Sequence, residues 1–328
     1  MKDAIFLLFQ LLIAIARLLV PGGSRAFTAD NLLLKQRLIV HSRSRIRVLN
    51  TIGEPCPFTY IPLVLGGGML YGWVCILYCW APFNDQQGGA MTTFVLVHGG
   101  WSGAHGFRHV RRLLQQAGHE VFTPSLTGIG ERVHLASPLV NLSTHIRDVT
   151  NHIFYEDLTD IVLVGFSYGG FVVTGTLEHV SSRVKHLVYL DAFVPENGQT
   201  VYGLAAGAGR SAIRLGEEWL VPPAPRTFDD PAEGDWMSAR RVPHPRACLT
   251  EPVYVARPLE DYTEFTRTYI KATLSPASDL GESAFRAAGQ RAKDSPAWRY
   301  EEIATTHIVT SNKPAEIAKL LMGIVGAA

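Results

Sequence analysis

The sequence predicts an α/β fold with a mostly parallel central sheet flanked by helices, and two observations support this prediction. Short apolar runs alternate with amphipathic stretches from Thr92 onward. Several of these runs, such as residues 94–97 and 161–164, are apolar throughout, as expected of strands buried on both faces of a parallel sheet. Strands that alternate with helices in this way form a parallel sheet covered on both sides.

The predicted elements follow one another along residues 92–328. Strands are predicted over residues 94–100, 120–126, 161–166, 184–193, 267–273 and 298–304. Helices are predicted over residues 104–118, 142–156, 168–180, 281–294 and 313–326. The first of these helices has apolar residues at helical spacing and ends at Gly118, a residue that suits a helix C-terminus.

The interval 194–266 interrupts the alternation and is predicted to form a cap over the active site. It contains clustered prolines and no run typical of a buried strand. A surface excursion without a cap function is the alternative. The aromatic residues Trp219, Trp236 and Phe265 in this interval favour a mostly apolar substrate pocket.

Residues 1–90 differ from the rest of the chain in charge. The whole chain has 30 Lys and Arg against 29 Asp and Glu, a balance that argues against a nucleic-acid partner. Eight bases and four acids give residues 1–90 a net charge of +4, whereas 22 bases and 25 acids give residues 91–328 a net charge of −3. Two unlike segments therefore share the chain, and residues 91–328 are predicted to form one domain.

The origin of the leader, residues 1–90, has three interpretations. Its apolar run over residues 58–83 is long enough to cross a bilayer, although Gly and Pro are frequent in it. Residues 18–50, with the segments PGGSRAF and DNLLLKQRLIV, resemble the leader of insertion-sequence transposases and contain no catalytic motif. We expect Met91 to be the natural start, with a membrane anchor and a soluble extension as alternatives.

Residues 165–169 match the pattern G-x-S-x-G, which is typical of a serine nucleophile. The pattern follows the apolar run 161–164 and opens a predicted helix, and this strand, turn and helix setting is that of a nucleophile elbow. The tight turn holds the serine in a strained backbone conformation, so small residues are needed two positions before and after it. Ser167 is therefore the predicted nucleophile.

A serine needs a neighbouring base, and the position of His307 suits this role. In enzymes with a nucleophile elbow the triad follows the chain order Ser, then Asp or Glu, then His. His307 lies between the last predicted strand and the last predicted helix, where a loop can carry it to the serine. His244, in the predicted cap, is expected to have a structural or substrate-contact role.

Three carboxylates compete for the third position of the triad, where an acid orients the imidazole. Asp279 is the first carboxylate after the predicted strand 267–273, and it is the acid that we predict. Glu282 and Asp191 are the alternatives, and Asp191 lies at the end of the preceding strand.

Two backbone N–H groups are predicted to form an oxyanion hole. Tyr168, directly after the nucleophile, supplies one, and Gly100, in the loop after the first strand, is the candidate for the other. The glycines of this loop lack the spacing of a dinucleotide-binding loop, so no cofactor is predicted. No metal is predicted either, because His105 and His109 lack the further Cys or His residues of a metal site.

Residues 92–328 resemble the α/β-hydrolase family, in particular the small esterases related to plant hydroxynitrile lyases and methyl-ester esterases. The segments that carry the resemblance are FVLVHGGWSGAHGF, LTGIGER, LVGFSYGG, HLVYLDAFVPENG, RTYIKAT and the loop at His307. One departure is Phe166, where many relatives have His. The resemblance implies an α/β-hydrolase fold with a cap, in which the triad is Ser167, Asp279 and His307 and the oxyanion donors are Gly100 and Tyr168.

Two positions distinguish acyl transfer from cyanohydrin cleavage in this family. The lyases carry a Thr in the oxyanion loop and, directly after the catalytic His, a Lys that holds the departing cyanide; here these positions are Gly99 and Ile308. The resemblance therefore implies a serine carboxylesterase that hydrolyses small esters through an acyl-enzyme. A lactonase with the same triad, a hydroxynitrile lyase and a non-catalytic ligand receptor are the alternatives. We expect a cytoplasmic protein and leave a homodimer and membrane contact through the leader open.

Overall fold

The computed structural model describes residues 91–205 and 219–325, which contain a central parallel sheet. In chain order the strands are β1 (Thr93–Val97), β2 (Glu120–Phe122), β3 (Ile161–Phe166), β4 (Val184–Leu190), β5 (Leu220–Val221), β6 (His244–Pro245), β7 (Thr266–Ala272) and β8 (Arg299–Ile303). Six of them form the sheet in the order β2-β1-β3-β4-β7-β8, and every neighbouring pair is parallel. The short strands β5 and β6 pair separately and antiparallel. The predicted fold class is confirmed.

Helices connect the strands and cover the sheet. They are α1 (Arg108–Gln116), α2 (Leu142–Tyr155), α3 (Gly169–Val180), α4 (Val201–Ala205), α5 (Pro231–Ser238), α6 (Ala247–Thr250), α7 (Glu282–Asp294), α8 (Val309–Asn312) and α9 (Pro314–Val325). Short 3-10 helices lie at Ala104–Phe107, Gly130–Leu135, Ser181–Arg183 and Leu259–Asp261. The sequence predicts the position of each long helix to within a few residues.

The side chains of each central strand alternate between two apolar cores, one on each face of the sheet. In β1, Val95 and Val97 belong to the core that contains α2, α3 and α7, whereas Phe94 and Leu96 belong to the core that contains α1 and α9. This alternation follows from the two-residue period of a strand. It explains why the runs 94–97 and 161–164 are apolar throughout, as a sheet covered on both faces requires.

Two of the strands that are shorter than predicted, β4 and β2, end early for local reasons. β4 ends at Leu190 because Asp191 adopts a φ of 41° and leaves the extended conformation. β2 ends at Phe122, two residues before Pro124, which has no N–H to donate to a neighbouring strand.

The carboxyl ends of the central strands meet at one edge of the sheet. Phe166 at the end of β3 pairs in register with Leu190 at the end of β4, and Leu190 pairs with Ile270 of β7. The residues that directly follow β1, β3, β4 and β8 therefore lie along the same edge, which is where ligands bind in open parallel sheets.

The interval predicted as a cap contacts this edge at several points. It holds the small elements from α4 to α6. The Trp101 indole N–H donates to the carbonyl oxygen of Val221 at 2.9 Å. Glu233 of α5 accepts from Arg108 Nη1 at 2.9 Å and from Ser311 Oγ at 3.0 Å. These contacts attach both the antiparallel pair β5–β6 and the helix α5 to loops and helices beside the carboxyl edge of the sheet.

Candidate active site

Ser167 lies in a tight turn between β3 and α3. Its φ is 55°, a left-handed value that residues other than glycine rarely adopt. The turn packs so closely that a Cβ on Gly169 would lie 2.5 Å from the carbonyl oxygen of Val97, and a Cβ on Gly170 would lie 2.0 Å from that of Phe193. The glycines after the serine therefore allow the start of α3 to pack against the backbone at the end of β1 and just after β4. The turn presents the serine at the carboxyl edge of the sheet.

His307 connects Ser167 to a buried carboxylate. Its Nε2 lies 2.8 Å from Ser167 Oγ, and its Nδ1 lies 2.7 Å from Asp191 Oδ2. Because an ionised carboxylate only accepts hydrogen bonds, Nδ1 carries the hydrogen of the neutral imidazole and Nε2 accepts from the serine hydroxyl. His307 is 3% exposed and Asp191 is fully buried, so water is largely excluded from this chain of hydrogen bonds.

Asp191 is held by further contacts that the sequence analysis did not single out. Its Oδ1 accepts from Lys271 Nζ at 2.7 Å and from the backbone N–H of Ala272 at 3.2 Å. Lys271 Nζ also lies 3.2 Å from Oε1 of Glu282, which pairs with Arg286 Nε at 2.6 Å. A buried charge is tolerated when it is paired and hydrogen-bonded, and here a buried lysine bridges two buried carboxylates.

The structure does not bring Asp279, the predicted acid, to His307. Asp279 Oδ2 pairs with Arg226 Nη1 at 3.2 Å, and the carboxylate that reaches His307 is Asp191. Glu282, the other alternative, faces Lys271. The signal for Asp191 was present in the sequence, because it is the first polar residue after the apolar end of β4. The choice between the carboxylates depends on packing between distant segments, which no local motif encodes.

The pKa values of His307 and Asp191 are both lowered, for different reasons. Burial lowers the pKa of His307, and the nearby positive charge of Arg226 lowers it further, while the hydrogen bond to Asp191 opposes both effects. Burial by itself would raise the pKa of Asp191, but the hydrogen bond from His307 and the charges of His307 and Lys271 outweigh it. The histidine is therefore neutral and the aspartate ionised at neutral pH, as a base and its orienting acid require.

Two aromatic rings stack on the imidazole of His307. The centroid of Phe285 lies 4.8 Å from that of His307 with an interplanar angle of 8°, and the centroid of Phe166 lies 5.0 Å away at 28°. Phe166 thus has a defined place beside the histidine, although many relatives carry His there. The rings restrict rotation of the imidazole and keep it in line with Ser167.

The structure brings the two predicted oxyanion residues together beside Ser167. A Cβ on Gly100 would lie 3.6 Å from Cβ of Tyr168, and a Cβ on Gly99 would lie 3.0 Å from Cβ of Ser167. The loop turns sharply at Trp101, whose φ is 59°. The backbones of Gly100 and Tyr168 therefore lie close to each other beside Ser167, a proximity that the predicted oxyanion hole requires.

Two buried histidines, neutral at neutral pH, form hydrogen bonds beside these two backbones. His98 Nδ1 donates to Gly99 O at 2.9 Å, and burial lowers its pKa to about 4. His145 accepts at Nδ1 from the Tyr168 hydroxyl at 2.9 Å and donates from Nε2 to Thr127 O at 2.7 Å; burial lowers its pKa to about 3. Because they remain uncharged, these side chains act as fixed hydrogen-bonding groups across the neutral pH range.

The fully buried His244 lies in the cap next to the same loop. Its ring centroid is 4.8 Å from that of Tyr168, and its Nδ1 lies 3.2 Å from Pro245 O. Burial lowers its pKa to about 3. The contact with Tyr168 gives His244 a structural position, which is one of the two roles expected for it.

A cavity of about 50 Å³ opens on Ser167. Apolar and aromatic side chains form much of its wall, and two arginines, Arg226 and Arg241, also line it. The described lining residues include Gly99, Gly100, Phe166, His307 and Ile308. The expected cap aromatics Trp219, Trp236 and Phe265 are absent from the described lining, and Trp236 instead lies between Arg108 and Arg240, whose guanidinium carbons are 3.6 and 3.9 Å from its ring centroid.

Within the described ranges, no group of three or more His, Cys, Asp or Glu residues could hold a metal ion. The two histidines with helical spacing lie near acidic residues: His105 Nδ1 lies 4.0 Å from Glu131 and His109 Nε2 lies 3.5 Å from Glu233. Among the same described residues, no helix has the length and apolar character needed to cross a membrane.

The parallel sheet, the strained elbow at the end of β3 and the histidine after β8 together define an α/β hydrolase. Residues 94–320 match the model of the alpha/beta hydrolase family. The chain belongs to the α/β-hydrolase family.

Its relatives include esterases. The chain is 36% identical over 248 residues to a carbendazim hydrolyzing esterase of Nocardioides sp. (strain SG-4G), an alignment that covers 71% of this chain and 100% of the relative. It is 28% identical over 211 residues to the putative methylesterase 13, chloroplastic, of Arabidopsis thaliana, covering 57% of this chain and 47% of the relative. The prediction of a carboxylic-ester hydrolase of the esterase branch is confirmed.

A solved structure shows the same fold. An extracellular alpha/beta-hydrolase from a Paenibacillus species superposes with a TM-score of 0.62 at 22% identity, covering 71% of this chain and 98% of that chain. The family match begins at residue 94, so it gives no support to the resemblance of residues 18–50 to a transposase leader, and those residues lie outside the described ones. The domain boundary at residue 91, the compartment and a homodimer stay predictions.

Proposed function

We propose that the protein is a serine carboxylesterase for small esters in which Ser167, His307 and Asp191 form the catalytic triad. The observation that carries this proposal is the continuous chain of hydrogen bonds from Ser167 Oγ to His307, at 2.8 Å, and from His307 to Asp191, at 2.7 Å. This is the geometry in which a serine is activated by a histidine that a carboxylate orients.

In the acylation half-reaction, Ser167 Oγ attacks the ester carbonyl carbon while its proton moves to His307 Nε2. The carbonyl oxygen becomes an oxyanion, and the N–H groups of Gly100 and Tyr168 donate to it. The C–O bond to the alcohol then breaks, and the departing oxygen takes the proton from His307. Asp191 stays ionised throughout and stabilises the imidazolium that forms between these two steps.

In the deacylation half-reaction, a water molecule takes the place of the alcohol. His307 accepts a proton from the water as its oxygen attacks the acyl carbon, and a second oxyanion forms at the same donors. The bond to Ser167 Oγ breaks and the serine recovers its proton from the histidine. A carboxylic acid leaves, so the net reaction is the addition of water across one ester bond.

The residues beside the triad favour hydrolysis over cyanohydrin cleavage. Ile308 directly follows His307 and lines the cavity, and an apolar side chain cannot stabilise a departing cyanide. At Gly99, a Cβ would come within 3.0 Å of Ser167 Cβ. The absence of a side chain at Gly99 therefore keeps space for a tetrahedral intermediate at the serine.

Release of p-nitrophenolate from p-nitrophenyl acetate tests the proposal. We expect turnover by the full chain and a loss of at least about 1,000-fold in kcat for Ser167→Ala. Ser238→Ala, at the exposed end of α5, is the matched control and should retain activity. Diisopropyl fluorophosphate should transfer its diisopropylphosphoryl group to Ser167 Oγ with loss of fluoride and of the serine proton, and the peptide that contains Ser167 should gain the corresponding mass. Undiminished turnover in Ser167→Ala would refute the assignment of the nucleophile. Carbendazim should be tested as a further substrate, because a relative is named for its hydrolysis.

A further inference from the structure

The described wall of the active-site cavity contains two arginines and no carboxylate. Arg226 and Arg241 both come from the cap interval and line the same cavity as Ser167 and His307, whereas none of the described lining residues is Asp or Glu. Positive charge therefore faces the nucleophile without a matching negative charge in the wall itself.

Arg226 is largely satisfied by the protein. Its side chain is 7% exposed, and it pairs through Nη1 with Asp279 Oδ2 at 3.2 Å and through Nη2 with Leu280 O at 3.2 Å. These contacts fix the guanidinium beside the triad, close enough for its charge to lower the pKa of His307. Arg226 thus contributes a positioned positive charge whose orientation the protein sets.

Within residues 91–205 and 219–325, Arg241 has no carboxylate partner. It is half-buried, and its described hydrogen bond is from Nη1 to the backbone oxygen of Ala224 at 2.6 Å. A guanidinium has five N–H donors, so most of the donors of Arg241 have no partner among the described residues. Burial lowers the pKa of Arg241 to about 10, and the like charge of Arg226 lowers it further, so the group is charged at neutral pH but in an environment that disfavours its charge.

The two arginines share one described carboxylate. In the part of the chain that the structure describes, Asp279 balances the charge of Arg226 and leaves the charge of Arg241 unbalanced. A half-buried charge without a partner costs free energy, and a ligand carboxylate removes that cost because it accepts two parallel hydrogen bonds from a guanidinium. A neutral ester without another acceptor would leave the charge uncompensated.

The size of the cavity limits the ligand. Its volume of about 50 Å³ is several times the ~10–15 Å³ that one water molecule needs, which favours a small ligand. A short chain between the reacting ester and a second group at the arginines suits a cavity of this size.

We propose that Arg241, assisted by Arg226, forms a carboxylate-binding subsite, and that the preferred substrates are short esters that carry a free carboxylate. This proposal rests on the esterase function proposed above and specifies its substrate class. Monoesters of short dicarboxylic acids carry the carboxylate on the acyl side, and acylated hydroxy acids carry it on the alcohol side.

Two pairs of near-isosteric esters test the proposal in the full-length enzyme. Monomethyl succinate is compared with methyl 4-oxopentanoate, in which a methyl ketone replaces the carboxylate. Acetoxyacetate is compared with acetoxyacetone in the same way, so the two pairs distinguish the acyl side from the alcohol side. For each pair the kcat/KM ratio of the anionic to the neutral ester is corrected by their rates of alkaline hydrolysis.

We expect a corrected ratio above 1 for at least one pair in the wild type, and a fall of that ratio by about 10- to 100-fold in Arg241→Gln, because a charge-assisted bidentate contact is lost. Arg241→Lys should restore part of it. Arg240→Gln is the matched control: it removes the same charge from the adjacent residue, which is exposed and packs on Trp236, and it should leave the ratio as in the wild type.

The outcomes separate the two proposals. If none of the esters is hydrolysed and p-nitrophenyl acetate is also inert, the esterase function itself fails. If the neutral esters are hydrolysed but the anionic ones are not preferred, or if Arg241→Gln lowers both by the same factor, the carboxylate subsite is overturned while the esterase function stands.

Discussion

A carboxylate orients a histidine only from within hydrogen-bond distance, and Asp191 meets this condition while Asp279 does not. We expect Asp191→Asn to lower kcat on p-nitrophenyl acetate by about 1,000-fold or more, since an amide cannot replace the charge that stabilises the imidazolium. Asp279→Asn, the matched control, should lower kcat far less, because its carboxylate pairs with Arg226 instead of His307. Steady-state kinetics of the two variants at one pH makes the comparison.

If Asp279→Asn lowered kcat more than Asp191→Asn, Asp279 would be the acid, as the sequence predicts. Loss of activity in Asp279→Asn together with near-normal turnover in Asp191→Asn would have that meaning. Thermal melting of both variants separates a loss of chemistry from a loss of folding.

The pH dependence of the enzyme follows from the lowered pKa of His307. The base acts only when it is neutral, so kcat/KM is full above the pKa of His307 and falls as pH decreases through it. Because burial and then Arg226 lower this pKa below its ordinary 6.5, the acidic limb is expected below pH 6.5. A profile of kcat/KM between pH 4 and 9 checks this, and an acidic limb centred above pH 7 would contradict it.

At this scale the sequence predicts a residue when a local pattern carries the information. Ser167 sits in a five-residue motif between a strand and a helix, and His307 directly follows the last strand. Asp191 and Lys271 are 80 residues apart in the chain and meet only because β4 and β7 are neighbours in the sheet. Selecting the acid therefore requires the strand order, which residue patterns alone do not provide.

Among the elements, α3 depends on glycine where it leaves the elbow. A Cβ on Gly170 would lie 2.0 Å from Phe193 O, so Gly170→Ala forces the helix away from the loop after β4. We expect a loss of about 2 kcal/mol or more in the free energy of unfolding, in the range of overpacked interiors. Chemical denaturation measures it.

Gly323→Ala in α9 is the control for this substitution. It is also a helical glycine, but a Cβ there would meet no atom within 4 Å, so the exchange should be neutral or stabilise by up to about 1 kcal/mol. If both substitutions changed the free energy of unfolding equally, close packing at the elbow would not explain the need for glycine at position 170.

The end of β7 and the start of α7 are joined by the buried Lys271 and Glu282. We expect Lys271→Met to lower the free energy of unfolding by about 3–5 kcal/mol, because it leaves buried carboxylates without their partner. The double variant Lys271→Met/Glu282→Met should lose less than the single one, since it also removes one of these carboxylates. Equal losses in urea unfolding would argue against a coupled network.

The same lysine also affects the base, because its positive charge lowers the pKa of His307. If either of these two variants folds, the acidic limb of its pH profile should lie at higher pH than in the wild type. A purely structural lysine would change stability and leave the limb in place.

On the scale of the whole molecule, the described sheet and both of its apolar cores are built from residues 93 onward. We therefore expect residues 91–328 to fold and to hydrolyse p-nitrophenyl acetate without the leader. Circular dichroism during thermal unfolding, together with the activity of this fragment and of the full chain, provides the measurement. A fragment that showed no cooperative unfolding would contradict the expected start of the domain at Met91.

The position of Asp191 at the end of β4 has a consequence for how the enzyme can diversify. With the proposed acid at this position, the loop after β7 carries no member of the proposed triad, and its Asp279 contacts an arginine of the cavity. The proposed reaction and the proposed substrate selectivity thus depend on different loops at one edge of the sheet. Mutational libraries confined to residues 273–281 and to the cap could thus exchange one ester for another while the reaction machinery is inherited intact.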